Sequence, residues 1–364
     1  MTVSRLQVMA MMSLLLLLAA GPLRAQQGYV VFDLGTFGGS SSAATGLNAS
    51  GQVTGYSYVE DDAAQNAFTV GSAEVPRNLG TLGGTNSFGY AINSSGRVAG
   101  ASQIAANGAF HGFLSYGNGG AIVDLGTLGG ANSYAYGVNN AGQVAGYSQT
   151  AGNSATLAFF RDTNGGALRS LGALPGGTSS FGLALNATGQ VAGYSGTATG
   201  FNHAFLSNVN GGSLHDLGTL GGRFSFGLAV NNFGQVAGRS EVPSGGMHAF
   251  LSGPNGGTLQ DLGTLGGLSS FGQGINDFGS VTGYSLLSDN STARAFLYSA
   301  GIGMVDLNTL LTPGSGWTLS EGRDINELGQ IVGVGIFGGE THAFLLSPEG
   351  LPGFYDGLGH ANPV

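Results

Sequence analysis

The sequence predicts an all-β protein assembled from seven copies of one four-stranded unit, and three observations carry that expectation. The first is a glycine-rich phrase. DLGTLGG stands at 124–130, 216–222 and 261–267, with variants DLGTFGG at 33–39, NLGTLGG at 78–84, SLGALPGG at 170–177 and DLNTLL at 306–311. The leucine after its first residue falls at Leu34, Leu79, Leu125, Leu171, Leu217, Leu262 and Leu307, a period of 45 or 46 residues. The second is that each period holds four strand-like runs divided by Gly and Asn. The third is that the chain begins and ends in complementary parts of one period. Periods of this length, rich in β-branched and aromatic residues, point to propeller blades.

Within the period at 124–170 the elements follow in order. SYAYGVN (133–139) reads as the first strand, and an NNAG turn leads into QVAGYS (143–148). A polar loop reaches LAFFRD (157–162), and a turn at TNGG reaches ALRSLG (167–172). Short strands joined by Gly- and Asn-containing turns form antiparallel hairpins. GTLGG then carries the chain from the outer, fourth strand of one blade to the inner, first strand of the next, its glycines permitting positive φ and close backbone approach. The chain starts on a fourth strand, YVVFDLG (29–35), and its last repeat stops after a third, HAFLLSP (342–348). The fold expected is therefore a seven-bladed β-propeller of four-stranded antiparallel blades, closed by the N-terminal strand joining the last blade, which leaves no open sheet edge. The repeats span 28–348, and 349–364 form a C-terminal tail.

Composition agrees with this and excludes several functions. The 71 glycines serve many turns, while 21 Phe and 12 Tyr supply apolar surface to bury. MTVSR, the apolar run VMAMMSLLLLLAAG (8–21) and the small-residue exit at Ala25 read as a signal peptide over 1–25, too short to span a membrane. The mature chain would keep 8 Arg against 19 acids, 8 − 19 = −11, with no Lys anywhere. A nucleic-acid partner is excluded on that balance. There is no cysteine, no GxxxxGK[ST] phosphate loop and no spaced Asp-x-Asp pattern, so no cofactor and no metal is expected. A secreted, periplasmic or extracellular monomer without a membrane span is expected.

The triplet HAF at 203–205, 248–250 and 342–344, together with DLGTLGG and INxxGxVxGYS, resembles the HAF-repeat family of exported bacterial repeat proteins. The resemblance covers 29–346 and departs from the triplet at NAF (66–68), HGF (111–113), LAF (157–159) and RAF (294–296). It implies export and repeat architecture, and no established activity. The family often carries a C-terminal sorting tail, and the tail here has no apolar anchor.

Candidate polar residues divide into those that repeat and those that break the repeat. The first residue of each triplet changes together with the first residue of the following phrase: His111 with Asp124, His203 with Asp216, His248 with Asp261, Arg294 with Asp306, Asn66 with Asn78, Leu157 with Ser170. Ring closure would set His342 beside Asp33. Such covariation implies cross-strand contact, and five cation–Asp pairs spread around a ring cannot meet at one substrate, so they read as structural ties. Each first strand also ends in an Asn (Asn48, Asn93, Asn139, Asn186, Asn231, Asn276, Asn326) expected to cap a hairpin turn. A Ser stands six residues earlier in every repeat, read as a turn or strand-start device.

Asymmetry marks the candidate ligand site. After each of those serines come Ala43, Phe88, Tyr134, Phe181, Phe226, Phe271 and Glu321, and two positions further on Thr45, Tyr90, Tyr136, Leu183, Leu228, Gln273 and Arg323. The aromatic is lost only in the first repeat, at Ala43, and in the last, at Glu321, where Arg323, Asp324 and the sole tryptophan, Trp317, lie in the same departure from the pattern. The expected site is the crossover-side channel entrance, with Phe88, Tyr134, Phe181, Phe226 and Phe271 as a platform beside Trp317, Glu321, Arg323 and Asp324. No catalytic residue is assigned. The function expected is non-catalytic binding of a glycan or protein, and the alternative is an extracellular lyase or glycosidase at the channel mouth. Exported protein should begin near Gln26; N-terminal sequencing that still found residues 1–20 would overturn the leader.

Overall fold

The computed structural model describes residues 28–71, 75–105, 108–163 and 165–351, so the expected leader and residues 352–364 of the tail lie outside the described residues. Every element among them is a β-strand except three short 3-10 turns, Glu60–Asp62, Ala151–Asn153 and Leu307–Leu310. No helix among the described residues is long and apolar enough to cross a membrane.

The third repeat shows the unit. Gly129–Val138, Val144–Thr150, Thr156–Arg161 and Arg169–Gly172 pair in sequence order as one antiparallel sheet. The first strand starts four residues earlier than the sequence suggests, because the crossover glycines Gly129 and Gly130 already run along it. The triplet phenylalanine, Phe159, is fully buried. Its ring lies against Gly146 of the second strand, where a Cβ would stand 1.9 Å from the Tyr134 carbonyl oxygen and 2.9 Å from the phenyl edge. Glycine is required there by close approach, not by φ.

Five repeats form separate four-stranded sheets. The first and last share one eight-stranded sheet, merged by a single parallel bridge between Ser41 and Thr341. The sheet count thus departs from seven separate blades. The last repeat also replaces the GTLGG crossover with the Leu307–Leu310 turn, whose Asn308 side chain takes up both the amide and the carbonyl of Leu319. Tyr29–Asp33 pairs antiparallel with Glu340–Pro348, from Tyr29 opposite Pro348 to Asp33 opposite Phe344.

First strands of successive repeats lie side by side, and Trp317–Ile325 lies beside Gly38–Leu47. Sheets pack face to face through small and branched side chains, as where Ala145, Ala158 and Phe160 meet Val191 and Phe205. The crossover phrase leaves few polar groups unspent. Gly126 N–H donates to Asp124 Oδ1, Thr127 Oγ1 to Gly130 O and Leu128 N–H to Ser148 Oγ. Ser133 Oγ of the next first strand donates to Gly126 O, and accepts Gly112 N–H from the preceding sheet. A part-buried loop is stable when its amides and carbonyls find such partners. Ser42, Ser87, Ser180, Ser225 and Ser270 do the same as Ser133, so the repeated serine is a clamp between neighbouring sheets, whereas Ser320 bonds Val334 O within its own sheet.

The repeated asparagines do more than cap. Each Oδ1 accepts turn amides, as Asn186 does from Thr188 and Gln190. Each Nδ2 donates to the backbone carbonyl of the next repeat's asparagine, from Asn48 to Asn93, Asn139, Asn186, Asn231, Asn276 and Asn326, at 2.9–3.2 Å. Asn326 Nδ2 then donates to Asn48 O at 3.1 Å, making the series cyclic. Asn186→Ala strands a buried carbonyl and two turn amides, so it should cost about 2–4 kcal/mol. Urea unfolding checks this, and a loss under about 0.5 kcal/mol would contradict it.

Candidate functional site

The inner edges of the first strands enclose an axial channel with two chambers. Seven residues line both: Thr45, Tyr90, Tyr136, Leu183, Leu228, Gln273 and Arg323, one from each repeat. Each is the residue skipped where the pairing of first and second strands shifts register, for example between Ala135 and Gly137. A β-bulge leaves one residue out of the ladder and re-aims its side chain. Here it turns each one into the channel.

The wider chamber, about 460 Å³, adds Tyr56, Arg239, Phe271, Tyr284 and Glu321. It opens on the crossover side, because Phe271 follows Ser270, whose hydroxyl is bonded to the crossover Gly263. The narrower one, about 200 Å³, is bounded by residues that precede the asparagine series, such as Ile92, Val138 and Ile275.

Around the wider mouth the half-buried aromatics form a chain of ring contacts. Cross-strand register sets Tyr134 opposite Tyr147, Phe181 opposite Tyr194, and Phe271 opposite Tyr284, with centroids 4.5–5.0 Å apart. Edge contacts then link neighbouring repeats, Tyr56 to Phe88, Tyr147 to Phe181, and Tyr194 to Phe226. Where Ala101 replaces the second-strand ring, Phe110 fills in between Phe88 and Tyr134. Lower down, Tyr90 and Tyr136 stack at 4.2 Å. Burial raises the Tyr90 and Tyr136 hydroxyl pKa values, so both remain neutral donors.

The chain of rings stops at the last repeat. Glu321 forms an ion pair with Arg323 at 2.9 Å and accepts a hydrogen bond from Gln273 Nε2. Both lie on the wider chamber. Arg323 reaches Tyr56 Oη at 3.5 Å; desolvation lowers its guanidinium pKa, but the Glu321 carboxylate and Tyr56 together hold it above its ordinary value. Asp324 instead borders the narrower chamber, where its oxygens accept Leu47 N–H and Ile325 N–H. Protein surrounds this carboxyl deeply although the channel leaves part of it open. Desolvation lifts its pKa to about 7, against the two backbone donors and with a small push from Glu327.

The structure brings Phe271, Glu321 and Arg323 onto one wall and sets Phe88, Tyr134, Phe181 and Phe226 in the surrounding belt. It does not bring Trp317 there. Trp317 is 8% exposed, stacks on Phe337 and packs with Tyr29 and Phe344. Its indole faces the outer part of the last sheet, four residues of extended strand from Glu321. The belt's second-strand members, Tyr56, Tyr147, Tyr194, Arg239 and Tyr284, were not anticipated as site residues; their place in VxGYS, directly opposite the first-strand aromatics, is the signal that marks them.

Of the expected ties, His111–Asp124, His203–Asp216, His248–Asp261 and His342–Asp33 stand at 2.8–3.0 Å through Nδ1. Arg294 makes no such pair with Asp306, a correction to the sequence expectation. Asp306 instead caps the Leu307–Leu310 turn and bonds Asn308. No group of three or more His, Asp or Glu arranged to hold a metal occurs among the described residues.

No protein-family model and no curated protein matches the chain. Solved structures do match in fold. A puromycin-hydrolyzing peptidase from Mycobacterium tuberculosis is 13% identical, with 92% of this chain and 53% of that one covered at a TM-score of 0.52. A prolyl endopeptidase is 9% identical, with 93% and 52% covered, also at 0.52. The β-propeller domain of the Trilobed protease from Pyrococcus furiosus is 9% identical, with 72% and 84% covered at 0.46. This chain spans about half the length of the two peptidases, and at these identities the likeness is one of fold alone.

Asp324 sets a pH dependence. A carboxyl whose folded pKa is raised contributes most to stability below its ordinary value of 3.8 and loses that contribution as pH rises through about 7. Asp324→Asn stays neutral, so its Tm should fall less than the native protein's across that window. Parallel Tm–pH curves for the two proteins would refute the assignment.

Proposed function

We propose that the chain is an exported HAF-repeat protein, a seven-bladed β-propeller closed by its N-terminal strand, that binds a glycan without catalysis at the crossover-side mouth. The closure reading is supported by the pairing of Tyr29–Asp33 with the last third strand, by His342–Asp33 at 2.9 Å and by the Asn326-to-Asn48 bond. Export rests on the sequence of the leader.

The observation that carries the binding reading is the belt of half-buried rings around an open chamber whose floor has three sectors. Leu183 and Leu228 are apolar, Tyr90 and Tyr136 present hydroxyls, and Gln273 and Arg323 are polar. Aromatic faces take the C–H face of a sugar while phenol, amide and guanidinium groups meet its hydroxyls. A protein ligand presenting the same chemistry is the neighbouring possibility.

The lyase or glycosidase reading has one observation in its favour, an Asp324 carboxyl lifted to about 7, within the range of a general acid. Glycosidic cleavage needs a second carboxyl flanking the same bond. Glu321 is neutralised by Arg323 and faces the other chamber from Asp324's backbone-bonded oxygens. Binding is therefore preferred.

A glycan array probed with mature protein should give hits that a Phe271→Ala, Tyr284→Ala double variant loses by at least about tenfold. Hits that survive this double substitution would place the site elsewhere. Consumption of the bound sugar with new products would establish the enzyme reading.

A further inference from the structure

At the second-strand position where four other repeats carry Tyr56, Tyr147, Tyr194 and Tyr284, the fifth repeat carries Arg239. Its guanidinium carbon sits 4.8 Å from the ring centroids of both Phe226 and Phe271, a cation held between two aromatic faces. Such a sandwich fixes the plane of the guanidinium and leaves its two Nη groups, rather than the enclosed Nε, to meet a ligand. Arg239 Nε is buried and has no hydrogen-bond partner. Among the described residues Arg239 has no ion-pair partner either. The wider chamber is lined by three charged residues; Glu321 and Arg323 neutralise one another, so Arg239 supplies its uncompensated charge.

We propose that Arg239 is the specificity-determining residue of the wider chamber and that it takes the carboxylate of an acidic saccharide, a uronate. This rests on the glycan-binding reading above and narrows its ligand class. Guanidinium–carboxylate pairing through the Nη groups in a partly dried site is charge-assisted and directional. Tyr284, which lines the chamber and stacks on Phe271 at 4.5 Å, supplies the ring that a pyranose needs. An uncharged sugar would leave the charge of Arg239 uncompensated. The net charge of the chain, −9, opposes an anion only weakly at this distance, since salt screens exposed charges beyond about 8–10 Å.

The test is calorimetric titration of the mature protein with short galacturonate oligomers, their methyl esters and uncharged galactose oligomers. Galacturonate should bind at least about tenfold more tightly than its methyl ester, one tenfold step in affinity. Arg239→Tyr, which restores the residue other repeats use and keeps the belt continuous, should abolish that preference while unfolding like the native protein. Arg239→Met supplies a second variant if the tyrosine closes the chamber. Equal affinity for ester and acid, unchanged by Arg239→Tyr, overturns this inference and leaves the glycan reading standing. An Arg239-dependent affinity for acidic peptides without any for galacturonate overturns the saccharide class. Absence of binding to every sugar removes both readings.

Discussion

The asparagine series along the inner ends of the first strands is the constraint on which the rest of the molecule depends. Each side chain uses its oxygen to close its own turn and its amide to hold the next repeat's backbone, so one residue type settles local and global geometry together. Each bond contributes only about 1 kcal/mol net, yet leaving any one unmade strands a buried carbonyl. Alanine at these positions would satisfy neither group. Because Asn326 donates back to Asn48, displacement of one repeat is resisted from both sides.

Outward from that series, buried serines hold the crossovers and the triplet phenylalanines fill the sheets. The histidine–aspartate pairs belong to this outer framework. Each aspartate serves its histidine and also accepts the amide of the crossover glycine two residues on, as Asp216 does for Gly218 and Asp261 for Gly263. Aspartate side chains in three of the pairs are more than two-fifths exposed, so each tie adds little energy singly. Asn78 and Ser170 accept the corresponding amides of Gly80 and Gly172, whose φ values of 71° and 70° match those beside the aspartates, so the glycine's conformation needs the acceptor and not the histidine.

A framework repeated so regularly leaves function to the positions that it does not constrain. The bulged residue of each first strand is one such position, since it is released from the ladder and turned into the channel. Threonine, tyrosine, leucine, glutamine and arginine all occur there. The second-strand position opposite the belt is another, and its replacement by Arg239 changes the charge of the mouth without disturbing the sheet. Symmetry thus makes the chamber, and departures from symmetry make its chemistry.

The repeat, the order of four strands, the covarying His–Asp contacts and the departure of Glu321 and Arg323 from the pattern were legible in the sequence, because periodicity and paired change are visible along one dimension. The sequence also marked Trp317, but rarity of a residue says nothing about which side of a strand it occupies, and the tertiary structure packed it against Phe337 and Phe344. It suggested Arg294–Asp306 by analogy with its neighbours; the altered turn after Asp306 gave that carboxylate a local partner instead. The direction of side chains, by contrast, follows from the fold. A β-bulge shifts alternation by one residue without any signature in composition, so the channel wall, the separation of Asp324 from Glu321 and the place of Arg239 on the wider chamber follow from backbone register rather than from pattern.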